Sequence, residues 1–141
     1  MRYPTLIASA FLAAACGGGA NPGGGTPPPM TLPPATTPSV VRSATIRGAA
    51  GHAASGSARI VREGASYYLE LGADFRIDSG NNDVMLTRQS DTRTGSDLNL
   101  GNMMALTGPQ RYPLPDDGSG YAYVMLWCRP FRIPIGFGEL R

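Results

Sequence analysis

The sequence predicts an all-β domain, a single antiparallel β-sandwich carried behind a disordered Gly/Pro-rich tether. Three observations carry this expectation. Short runs of β-branched and aromatic residues recur, separated by Gly, Asn and Asp. No window holds an uninterrupted apolar helical repeat, and the best, residues 98–106, is cut by Gly101. Glycine and proline are unevenly placed, with 6 Gly and 7 Pro in the 22 positions 17–38. More than half of that stretch cannot join a packed core, so the chain divides into a leader (1–15), a linker (16–41) and one domain (42–141).

Within the domain, Ala58-Arg-Ile-Val-Arg62 and Tyr67-Tyr-Leu-Glu-Leu71 flank Glu63-Gly64-Ala65-Ser66, a hairpin pattern. Residues 74–78 alternate, which places Phe75 and Ile77 on one face. A turn at residues 79–82 precedes a strand over 84–87. Tyr121-Ala-Tyr-Val-Met-Leu-Trp-Cys128 is apolar in both of its alternating sets, as a central strand covered on both faces requires. Trp127 and Cys128 then point to opposite sides. Pro130 ends that strand, residues 131–135 continue as an edge, and Gly136-Phe-Gly138 closes the domain with a bend.

The leader has one Arg, then an apolar run from Leu6 to Ala15, far short of the ~20 residues that span a bilayer. Leu12-Ala-Ala-Ala-Cys16 resembles the bacterial lipoprotein box, with Ala13 in the slot usually held by leucine. This predicts a signal peptide over 1–15 and lipid on the Cys16 thiol, with a polar spacer after it. Gly17 stands where an Asp resembles an inner-membrane retention signal, so the expected location is extracytoplasmic, lipid-anchored to the outer membrane. Lipidation of Cys16 leaves Cys128 as the one free thiol and forbids an intramolecular disulfide.

Composition excludes several chemistries. The chain has no Lys, which removes phosphate-loop, Schiff-base and Ser–Lys mechanisms. His52 is the single His, so a multi-His metal site cannot form within one chain. The 12 Arg are interspersed with 10 acids, leaving no basic stripe for nucleic acid.

Gly108-Pro-Gln-Arg-Tyr-Pro-Leu-Pro115, Tyr123-Val-Met-Leu-Trp-Cys-Arg-Pro-Phe131 and Ile135-Gly-Phe-Gly-Glu-Leu140 together resemble the closing pattern of the electron-transfer DM-thirteen domain family. Gly51-His52 with Ala54-Ser-Gly-Ser-Ala58 is similar to its opening segment. Where that family usually has Gly-Pro-Asp before its middle strand, this chain reads Gly80-Asn-Asn-Asp-Val84. The resemblance implies a redox or electron-transfer accessory working through Cys128, as a free thiol or as ligand to a prosthetic group. The competing expectation is a non-catalytic envelope module, binding or structural, with Cys128 a small buried hydrophobe in the core.

Arg129 and Arg132 flank Cys128. Strand alternation sends Arg129 to the opposite side, so Arg132, past the bend at Pro130, is the expected stabiliser of a thiolate. His52 is read as the partner of Cys128, as base or second ligand, against the simpler reading of a loop His bonded to backbone. Met103 and Met104, adjacent on a strand, would point apart rather than share a copper ion. No cofactor is expected. Zinc would need carboxylates such as Asp74 or Asp83, or a second chain. Haem asks less of the protein, one or two ligands, but needs an apolar slot that a small sandwich rarely opens. With no complete catalytic constellation, the expected partners are the membrane, through lipid, and a redox or envelope protein.

Overall fold

The computed structural model describes residues 37–141. The expected signal peptide, Cys16 and residues 17–36 of the expected linker lie outside the described residues. Nine strands follow one another, with no helix among the described residues: β1 (Ser39–Gly48), β2 (Ala54–Glu63), β3 (Ser66–Leu71), β4 (Arg76–Ile77), β5 (Asn82–Thr87), β6 (Leu98–Asn102), β7 (Gln110–Leu114), β8 (Tyr123–Cys128) and β9 (Ile133–Glu139). They form one antiparallel sheet in the order β6-β5-β8-β9-β1-β2-β3-β7, with β4 pairing beside β2. The sheet folds over on itself as a sandwich, nearly closed into a barrel. β1 starts at Ser39, so Val40 and Val41, read as the end of the linker, are already strand; β-branched side chains suit that role.

Alternation sets the interior. Ile46, Ile60, Leu69, Val84, Leu86, Val124, Leu126 and Ile135 point inward from six strands and meet in one buried cluster with Phe75 and Ile77. Full burial of each such side chain stabilises the fold by about 1.5–3 kcal/mol. The β2–β3 hairpin turns over Gly64-Ala65, with Glu63 paired to Ser66 and a left-handed Gly64 (φ 62°). The 74–78 run shrinks to the two-residue β4, yet Phe75 and Ile77 are buried and Arg76 exposed, as alternation requires.

β8 is central and covered on both faces. Val124, Leu126 and Cys128 face the main interior, while Met125 and Trp127 form a separate outer cluster with Met85. β9 differs from expectation. It is an inner strand between β8 and β1, and residues 129–132 make the turn that leads into it. Pro130 falls in that turn, and Pro134 sits beside the register shift at Leu126/Trp127, so neither proline forbids pairing on both sides. Gly138 marks a close crossing rather than a bend: a Cβ there would lie 2.8 Å from the Thr45 carbonyl oxygen on β1. β7 tolerates Pro113 because it is an edge, paired only to β3.

Candidate functional site

Antiparallel pairing brings Cys128 and the His52 loop to one end of the sheet. β8 ends there, β9 begins there, and β1 ends there before the loop that carries His52. Cys128 is the last residue of β8, placed between Asn82 on β5 and Ile133 on β9. Its side chain faces the interior and is 2% exposed. The thiol makes no hydrogen bond to any described residue.

Asn82 is the polar neighbour. Directly paired residues share a face, so Asn82 and Cys128 both point inward. Asn82 is 1% exposed. Its Nδ2 donates to the Ser79 carbonyl oxygen, while Oδ1 is buried without a partner. A buried acceptor left unmatched is costly, and native folds rarely carry one. Asn82 lies within Gly80-Asn-Asn-Asp-Val84, the segment that departs from the family pattern. That departure was its one sequence signal.

The next segment closes over this end. The Met103 N–H donates to the Asn82 carbonyl oxygen at 2.8 Å, and its side chain packs on the core. Gln110 pins the residues that follow: Oε1 accepts from the Met104 N–H at 3.0 Å and the Tyr112 hydroxyl at 2.7 Å. Its Nε2 donates to the Ala105 carbonyl oxygen at 2.7 Å. Burial raises the Tyr112 phenol above its ordinary range, against the smaller opposing effect of the Met104 N–H.

Arg132 touches Cys128 through backbone alone, its N–H donating to the Cys128 carbonyl oxygen at 2.8 Å. The Arg132 side chain lines a polar depression of about 600 Å³ with Trp127, Arg93 and Asp97. Trp127 belongs to the outer face, so Arg132 lies on the far side of β8 from the thiol. Arg129 is on that side too, paired with Asp83 at 3.4 Å. Alternation lapses in the turn, where Arg132 is left-handed (φ 56°).

His52 and Cys128 are not brought together; β9 and β1 run between their positions in the sheet. Instead His52 Nδ1 lies 3.1 Å from Asp78 Oδ1. Asp78 Oδ2 accepts from the Ala53 N–H at 2.8 Å. That backbone donor, helped by His52, holds the Asp78 carboxyl below its ordinary range. The pair borders an open cleft of about 580 Å³ shared with Gly48, Ser55, Arg76 and Ile77. Close backbone packing shapes it, since a Cβ on Gly48 would lie 2.0 Å from the His52 carbonyl oxygen. Nothing local in the sequence announces Asp78, which is 26 residues from His52.

The surroundings of Cys128 do not fit a haem. The thiol is enclosed by strand neighbours and borders neither the His52 cleft nor the Trp127 depression. Among the described residues no three His, Cys, Asp or Glu side chains gather as a metal site.

A nearly closed antiparallel sheet with one thiol sealed at the end of its interior defines a small all-β domain of the kind found by comparison. The family model described as "Electron transfer DM13" matches residues 46–140. The chain belongs to that family. No curated protein and no solved structure matches it.

Proposed function

We propose that this chain is a lipid-anchored, extracytoplasmic redox accessory that works through Cys128. Membership of the electron-transfer family supports the redox reading. The observation that carries the choice of residue is the pairing of Cys128 with Asn82, whose buried Oδ1 has no partner. A thiol is a weak donor to such an oxygen, whereas an oxidised or ligated sulfur changes what that oxygen meets. The anchor at Cys16 rests on the leader and the small residues before Cys16, and the outer-membrane location on Gly17 after it.

The test is a thiol titration of the folded chain with Cys16 replaced by Ser. Labelling of Cys128 before denaturation, with loss of redox exchange but not of fold in Cys128→Ala, is the expected result. A thiol that reacts only after denaturation, in protein that exchanges no electrons with added couples, would sink the proposal.

The burial of Cys128 within the core favours one second reading, a non-catalytic envelope module in which the thiol only fills space. In that case Cys128→Ala changes stability and nothing else.

A further inference from the structure

We propose that the cleft beside His52 binds an anionic sugar, a ring bearing a carboxylate or phosphate together with free hydroxyls. The site is separate from Cys128. Its volume of about 580 Å³ lies in the range of small-ligand sites and admits a monosaccharide.

Each wall supplies a different recognition. Ser55 stands between Arg47 on β1 and Arg76 on β4 in one cross-strand row. Direct partners share a face, and all three side chains are exposed on the outer surface. Neither Arg47 nor Arg76 has an ion-pair partner among the described residues, unlike Arg59, Arg111, Arg129 and Arg141. Of the two, Arg76 lines the cleft together with Ser55, and its uncommitted guanidinium receives an oxyanion by charge-assisted, fork-shaped hydrogen bonds, while Arg47 lies beyond the lining and adds positive charge nearby.

His52 supplies the complement. Its Nδ1 is committed to Asp78, and Asp78 is itself anchored by the Ala53 N–H. In the neutral ring, with the proton on Nδ1, Nε2 is an acceptor held in a fixed orientation. A sugar hydroxyl matches it. Gly48, Ala53, Ala54 and Ile77 leave a low, weakly polar wall for the C–H face of a ring.

The loop bears the mark of such a site. Ala50 is left-handed (φ 53°) although it is not glycine, and Gly51 (φ 80°) follows it directly before His52. Strain of this kind costs free energy and gathers where a loop must hold a ligand-facing side chain. Gly48 allows the backbone approach that sets the loop down on β1.

The experiment follows the His52 ring and the Gly51 and Ala53 amides of the full chain by NMR. D-glucuronate, glucose 6-phosphate, glucose and inorganic phosphate are titrated separately. At least one of the two anionic sugars gives saturable shifts at these residues, and the stronger binder tells whether carboxylate or phosphate is preferred. Glucose gives none. Arg76→Gln weakens the binding by about tenfold or more, and Arg76→Lys restores part of it. Arg76 is exposed, so both variants keep the remaining amide spectrum. Three results would each overturn the proposal: no saturable shift with either anionic sugar, inorganic phosphate binding as tightly as the sugars, or affinity unchanged in Arg76→Gln.

Discussion

Cys128 and His52 share one end of the sheet, yet their surroundings are opposite. The thiol faces inward, beside an amide oxygen that also lacks a partner. The imidazole faces outward, bonded to a carboxylate that a backbone N–H holds in place. Inside, chemistry must come from whatever reaches the sulfur, since both arginines beside it in sequence lie across the strand. Outside, orientation is already built and solvent supplies access. One end of one sheet therefore holds a sealed thiol and an open, pre-oriented pair.

Gly48→Ala is the most severe way to break this contrast. The new Cβ meets two backbone groups, the His52 carbonyl oxygen at 2.0 Å and the Ala54 nitrogen at 2.9 Å, and neither can rotate away. The expected loss is about 2–4 kcal/mol in urea unfolding, with the His52–Asp78 contact gone from the NMR spectrum. A loss below about 0.5 kcal/mol would mean that the loop does not depend on close backbone packing.

Cys128→Ser probes the sealed side. A hydroxyl buried in an apolar site usually costs about 1–3 kcal/mol, and the residue paired with it across the strands, Asn82, carries a buried Oδ1 without a partner that a small side-chain shift would bring to accept from it. The expected cost is about 1 kcal/mol, rising by roughly another 1 kcal/mol when the same change is made in an Asn82→Ala background. Additive effects in that double-mutant cycle would show that the two side chains do not interact.

The gentlest test is pH. Asp78 binds its proton less readily when folded than when unfolded, chiefly because of the Ala53 N–H. Its contribution is therefore present above the ordinary carboxyl value of 3.8 and is lost as the pH falls below it through the folded value. Asp74, bonded to the Ser57 hydroxyl and N–H, and Asp117, bonded to the Ser119 N–H, are lowered and act in the same acid window. Asp78→Asn should thus flatten, without abolishing, the acid limb of a stability profile. An unchanged limb would remove Asp78 from the account.

Much of the fold was legible because alternation in a strand is local. Residues 123–128 declare two buried faces by composition, and Phe75 and Ile77 keep their shared face although β4 is only two residues long. Whether a strand is inner or edge depends on a partner far along the chain, so β9 read as an edge and β7, which holds Pro113 and lies between Pro109 and Pro115, did not read as a strand. The site divided in the same way. The lone thiol was visible, but its burial and its pairing with Asn82 are set by β5. Arg132 was misplaced because alternation stops where the strand does, and the partner of His52 waited in a loop that only folding brings near.

β1 lies in the middle of the sheet, between β2 and β9, and Ser43 and Arg141 exchange two backbone hydrogen bonds of 2.9 Å. In order of synthesis, the first of the nine described strands is thus completed by the ninth. The β2 side of β1 can zip up as a hairpin at once, while its other edge stays open until residues 133–141 are released. Folding governed by so distant a pairing belongs to the slow, millisecond-to-second class of β proteins. A chain halted before residue 133 would hold β1 and β8 with bare edges, the template on which neighbouring nascent chains join.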